Sequence, residues 1–232
     1  MRYILLSLAA LCVVSLSGVQ AQTVSLGSSQ DANIANGPIS NFNLGSFNEL
    51  LISWSSDPSD PTDISRGLIQ FDLSPIPSSA VITHATLTLF QEFNSGNGKT
   101  YSLFRNTAAW SESTVTFNTR PAFDPGAVST LAINDPNMFV PRMWDVTGVV
   151  QDWFTGAQVN DGLTLIQDPE LPDSYIYFFS KEDADPTHRP VLTVDYRLTG
   201  VPEPSACVLF ASMGITGAAL LARRRRQVRR PG

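Results

Sequence analysis

Between Val81 and Leu89 the chain alternates, with Val81, Thr83, Ala85, Leu87 and Leu89 on one side of an extended backbone and Ile82, His84, Thr86 and Thr88 on the other. Side chains two residues apart share a face only in a β-strand, so this stretch is predicted to be a strand with one buried face. Comparable runs occur at Leu50–Trp54, Gly67–Phe71, Thr100–Arg105, Thr114–Asn118, Gly162–Ile166, Ser174–Ser180 and Val191–Tyr196. Clusters such as Asn94-Ser95-Gly96-Asn97-Gly98 and Asp57-Pro58-Ser59-Asp60-Pro61 separate them and supply turn chemistry. Many short strands punctuated in this way predict an all-β sandwich or barrel. One segment departs from the pattern: Val149, Val150, Trp153 and Phe154 recur at helical spacing, with Thr147 as the expected N-cap and Gly156 as the stop. A two-turn helix closing one end of the sandwich is expected there.

The two ends read as addresses. Arg2, an apolar run from Ile4 to Leu16 and the exit Val19-Gln20-Ala21 predict a secretory signal peptide over residues 1–21, cleaved after Ala21, with the secretion translocon as its partner. At the other end Val201-Pro202-Glu203-Pro204-Ser205 precedes an apolar stretch from Ala206 to Ala222, and Arg223–Arg226 follow. Residues 206–222 are predicted to form a transmembrane helix and 223–232 a basic cytoplasmic tail, which places the domain outside. This tripartite tail resembles the PEP-CTERM sorting signal of Gram-negative bacteria, with Pro202, Glu203 and Pro204 as its motif. The resemblance implies recognition by an exosortase, a membrane transpeptidase-like enzyme, and an association with exopolysaccharide production.

Both cysteines, Cys12 and Cys207, fall in these end segments, so residues 22–200 carry no disulfide. That span holds eight Lys or Arg against twenty Asp or Glu, a net of −12 within a whole-chain charge of −6. An acidic surface of this size excludes nucleic acid as a partner and opposes acidic polymers unless cations bridge them.

The middle of the chain also resembles a known family. Asp31-Ala32-Asn33-Ile34, Asn43-Leu44-Gly45, Arg66 to Leu73, Ala80 to Leu89, Trp110-Ser111-Glu112, Val115 to Pro121, the helix, Asn160 to Leu163, Phe179 to Glu182 and Arg189 to Leu192 follow the order of the DNRLRE domain. Phe117 stands where that family often has Trp, and Lys181 where it often has Arg. The resemblance covers residues 31–196 and implies a jelly-roll-like antiparallel β-sandwich that overlaps a carbohydrate-binding module family, is found on secreted surface proteins and in some members binds acidic polysaccharides such as alginate. The expected organisation is a signal peptide (1–21), a sandwich with one short helix (22–200) and a sorting tail (201–232).

Aromatic faces hold sugars because the apolar side of a pyranose packs on them. Trp110 and Trp153 read as core. Trp54, at a strand end beside the Asp57–Asp63 loop, is a candidate for either ligand contact or packing, and Trp144 is undecided between them. Arg66 is a third candidate ligand residue, since a guanidinium grips hydroxyls or carboxylates at two points. For Arg66, Arg120 and Arg189 the favoured reading is a partly buried ion pair, with Asp72, Glu112 and Glu182 as candidate partners.

Calcium is the metal this composition suits, because it takes oxygen ligands and the span offers carboxylates without thiols. Asp57, Asp60 and Asp63 are the candidate ligands. Asp31 with Asn33, and Glu182 with Asp183 and Asp185, form further acidic groups. No G-x-S-x-G, H-E-x-x-H or glycine-rich phosphate loop occurs, and His84 and His188 stand isolated. The expected function is therefore a non-enzymatic exported protein, sorted through a transient membrane anchor to the cell surface or extracellular matrix, that binds polysaccharide or serves as scaffold. The alternatives are a carboxylate-based polysaccharide-cleaving enzyme on the same sandwich, and a ligand-free structural protein with Trp54 buried and no concave face.

Overall fold

A computed structural model describes residues 21–54, 64–95, 98–134, 137–170 and 174–198. Two strands are long enough to serve two layers. The first half of β1 (Ala21–Ala35) pairs with β10 (Val191–Leu198), and its second half pairs with β3 (Ile64–Phe71). β4 (Ala80–Asn94) likewise pairs first with β10, then with β7 (Val140–Asp145), then with β9 (Ser174–Phe179). A register shift between Ser28 and Gln30 on β1 falls where its partner changes from β10 to β3, and one between Gln91 and Phe93 on β4 falls within its pairing with β9.

β2 (Glu49–Trp54) joins β9 to β3, so the ladder β1–β10–β4–β9–β2–β3 returns to β1. β8 (Leu163–Gln167), β5 (Lys99–Asn106) and β6 (Phe123–Ile133) extend it from β3. All pairings are antiparallel, as the all-β expectation requires, and the layers enclose one main core. Leu50, Ile52, Leu87, Leu89, Leu103, Leu165, Ile176 and Phe178 lie there with no exposed surface. Each such side chain contributes about 1.5–3 kcal/mol relative to exposure. A satellite core of Ala32, Ile34, Leu68 and Val115 sits on the opposite face of β1 and β3, beneath the loop that carries Trp110 and Phe117.

The alternation in β4 is real, but its phase changes. Asp195 pairs with His84 and Tyr196 with Ile82, so Thr83 is skipped by a bulge. Ile82 is consequently buried together with Ala85, Leu87 and Leu89, while Val81 turns outward at 39% exposure. Thr114–Asn118, expected as a strand, forms turns, because Val115 is drawn back to Ser111 and Thr119 to Thr116. Three strands lacked the expected apolar alternation: β1 is rich in Ser, Gln and Asn, β6 contains Pro125 and Gly126, and β7 contains Pro141.

The helix α1 (Thr147–Thr155) lies against β4 with Val149, Val150 and Trp153 buried. Thr147 is its first residue and not the cap: Val146 takes the cap position, and the Thr147 N–H donates to Asp145 Oδ1 at 2.9 Å. Gly156 ends it in the left-handed region at φ 75°. Residues 1–20 of the predicted leader, the predicted sorting tail and Asp57, Asp60 and Asp63 lie outside the described residues. Among the described residues no helix is long and apolar enough to cross a membrane.

Candidate functional site

On β9 the side chains of Ile176 and Phe178 enter the core, which turns Tyr175, Tyr177 and Phe179 to the other face. Register places Tyr177 beside Leu51 and Phe93, and Phe179 beside Glu49. Phe93 stacks on Tyr175 with centroids 5.6 Å apart, and Tyr177 meets Tyr175 edge-on at 5.9 Å. Farther along, His188 stacks on Phe179 at 4.7 Å, and Phe139 packs against both. Phe139 is 55% exposed and holds φ 56°, a backbone region costly for a bulky side chain. A row of aromatic rings thus runs along one outer face.

A cleft of about 240 Å³ adjoins this row, lined by Asn33, Ala35, Ile39, Leu44, Phe47, Glu49, Leu51, Ser65 and Tyr177. One wall is the segment 36–48, held by tethers at several points. Asn43 Nδ2 donates to the carbonyls of Glu112 and Val115 at 2.7 and 2.8 Å, and Ser180 Oγ donates to that of Phe47 at 2.7 Å. Gly45 approaches the Glu112 backbone so closely that a Cβ would stand 2.8 Å from Glu112 Cγ. Glu92, beside this face, has its carboxyl pushed up by burial and by the neighbouring Glu49 and Asp183 charges.

The predicted ligand residues take different places. Trp54 is half-buried at the end of β2, one register step beyond the Ser53–Tyr175 pair. Trp144 is 1% exposed and donates its indole N–H to the Tyr101 carbonyl at 3.0 Å, so neither ring face meets solvent. Its place in the pairing of β7 with β4, unreadable from the Pro-containing sequence around it, makes it a core residue. Arg66 is engaged: its Nε and Nη2 reach the two oxygens of Glu170 at 2.9 and 3.2 Å.

The expected arginine partners are all replaced. Asp72 accepts from Ser74 in the turn after β3, Arg120 lies over the Phe117 ring, and Arg189 Nε donates to the Asp183 carbonyl. Trp153 is 7% exposed in the main core, and Trp110 flanks the satellite core.

Three carboxylates from distant segments converge, with one oxygen each of Asp31, Glu112 and Glu182 all within 4.8 Å of one another. Burial raises the Asp31 carboxyl to about 7, against hydrogen bonds from Ser28 and the Lys181 N–H. Among the described residues this is the one carboxylate group with metal-ligand geometry. Sequence reasoning had Asp31 and Glu182 in separate groups and missed their meeting, since 150 residues separate Asp31 from the neighbouring Lys181.

A second, more open trough of about 550 Å³ lies between β6 and the start of α1 and includes Arg105, Asp124, Asp145 and Asp152. No aromatic residue lines it. Thr147 donates twice to Asp145 and holds that carboxyl below its ordinary range, opposite to what a general acid needs.

Residues 22–196 match carbohydrate-binding module family 96. The chain belongs to this family. A module of this kind is a non-catalytic domain, and membership supports polysaccharide binding. No curated protein matches the chain.

Proposed function

We propose that this family 96 module binds polysaccharide along the face bearing Phe93, Tyr175 and Tyr177, with the cleft beside Phe47 receiving a sugar at one end. The observation that carries this reading is the exposed Phe93–Tyr175 stack, 36% and 41% accessible, next to a concavity with polar groups from Asn33, Glu49 and Ser65. Apolar ring faces offer packing and the rim offers hydrogen bonds, the combination sugar recognition needs. Trp54 shares the inner face of β2 with Leu50 and Ile52, opposite the face that carries Tyr175, and takes no part in this surface. Glu49 and Glu92 make the surroundings acidic, which favours neutral glycans over uronates.

The chain is exported, and the Pro202-Glu203-Pro204 tail is read by an exosortase that leaves the module at the cell surface or in extracellular matrix. The DNRLRE-like order of motifs supports this setting, and a polysaccharide matrix supplies the ligand. The exposed Phe93–Tyr175 stack and the cleft favour binding over a ligand-free scaffold, and the acid-rich trough without an aromatic platform offers little to a glycosidase.

The test is binding of the full chain to a panel of neutral and acidic polysaccharides while released reducing ends are monitored. Saturable binding to a neutral polymer without release is the expected result. Release of sugar would transfer the protein to the enzymes, and absence of binding to every polymer would leave a scaffold.

A further inference from the structure

Asp31 on β1, Glu112 in the β5–β6 connection and Glu182 after β9 bring one carboxylate each from three separate parts of the chain. Asp31 is 1% exposed. Its Oδ2 accepts from Ser28 Oγ at 2.8 Å and from the Lys181 N–H at 3.0 Å, whereas its Oδ1 is buried without a partner. An unpaired carboxylate oxygen in such a position is destabilising unless something answers it.

The cation nearest at hand is Lys181. Its Nζ lies 3.0 Å from Glu112 Oε1 and pairs with Glu182. One ammonium therefore serves two of three carboxylates, and Asp31 is left over.

We propose that Asp31, Glu112 and Glu182 form a calcium site, with Asp31 Oδ1 as the buried ligand and water completing the shell. Calcium takes about six to eight oxygen ligands in adaptable geometry, which suits three carboxylates brought in by loops and a strand; magnesium demands a stricter octahedron and keeps its waters. The Lys181 side chain is 27% exposed on a flexible stem, so it can withdraw to solvent as the ion enters. Lysine and calcium then compete for Glu112 and Glu182.

The ion would do structural work at a distance from itself. The Glu112 carbonyl holds Asn43, and Ser180, whose hydroxyl lies 2.7 Å from the Phe47 carbonyl and 2.9 Å from Glu182 Oε2 and shares its one proton between them, holds the other end of segment 36–48. Calcium bound here ties β1 to both anchors of the cleft wall. The site stands independently of the glycan reading, because its geometry makes no use of the aromatic face.

The experiment is calorimetric titration of the chelator-treated full chain with calcium chloride, with magnesium chloride in parallel and thermal melts alongside. One calcium per chain, a higher melting temperature and weaker binding of magnesium are expected. Asp31→Asn and Glu182→Gln should each weaken calcium binding about tenfold or more, and Lys181→Met should tighten it. If Asp31→Asn fails to fold, the partly exposed Glu182→Gln decides alone. No binding by either the natural chain or Lys181→Met would overturn the proposal. So would binding that survives the carboxylate substitutions unchanged, since it would place the ion elsewhere.

Discussion

Phe93 on β4 and Tyr175 on β9 lie nearly parallel, their planes inclined by 17°, at the outer edge of a pairing whose other side faces the core. Each ring fixes the orientation of the other, so a ligand meets a platform that needs no ordering on arrival. Tyr175→Ala and Phe93→Ala should each weaken glycan binding by about tenfold, on the order of 1.4 kcal/mol. The double substitution should lose less than the product of the two, because either change spoils the same stack. Val159→Ala, at a position 70% exposed and away from the face, serves as the control that leaves affinity unchanged in the same titration.

Arg66 and Glu170 form a two-point ion pair with side chains only 13% and 25% exposed. Arg66→Met and Glu170→Gln should each cost about 1–3 kcal/mol in urea unfolding, and the double variant less than their sum. Glycan affinity of the folded fraction should stay the same. A selective loss of affinity in Arg66→Met without a loss of stability would make the arginine a ligand contact after all.

Gly45→Ala puts a methyl group into the Glu112 backbone. A cost of about 1–3 kcal/mol is expected, together with faster amide exchange across residues 36–48 and weaker glycan binding. Stability lost with exchange in that segment unchanged would separate Gly45 from the cleft wall.

Trp144→Phe removes the indole N–H that the Tyr101 carbonyl accepts and leaves space in the main core. Chemical unfolding should show about 2–4 kcal/mol of destabilisation. Affinity measured on the folded protein should not move.

Replacement of Pro202, Glu203 and Pro204 by alanine should leave secretion through the leader intact while abolishing processing of the tail, seen as a larger membrane-retained species on blots of fractionated cells. Processing that continues at the natural rate would remove the exosortase from the account.

Much of the strand content was legible because burial on one face writes itself as alternation, as in Val191–Tyr196, where Leu192, Val194 and Tyr196 are buried. The bulge at Thr83 was hidden, since inserting one residue reverses the phase without changing the composition. β6 was hidden for another reason: it pairs with β5 alone, and an edge strand with little buried surface needs no apolar code. Site legibility followed the same divide. Trp144 could be named as a large aromatic, but its burial depends on β7 lying against β4. Tyr175 and Tyr177 sat inside a strand correctly placed, and only the strand's orientation makes them the outward pair. The meeting of Asp31, Glu112 and Glu182 is purely tertiary, and no spacing in the chain announces it.

β10 is the last strand in the chain and sits between β1 and β4, pairing with both. Until Val191–Leu198 is available, the first half of β1 and β4 from Ala80 to Ala85 have no strand partner, and Val194 is missing from the core beside Leu87. Closing this layer therefore depends on contacts of very long sequence separation, the kind that form slowly. On the proposed export, a chain emerging leader-first through a membrane stays threadable until its end has passed. A chain cut short before β10 is left with two open strand edges, the form most exposed to proteolysis and aggregation.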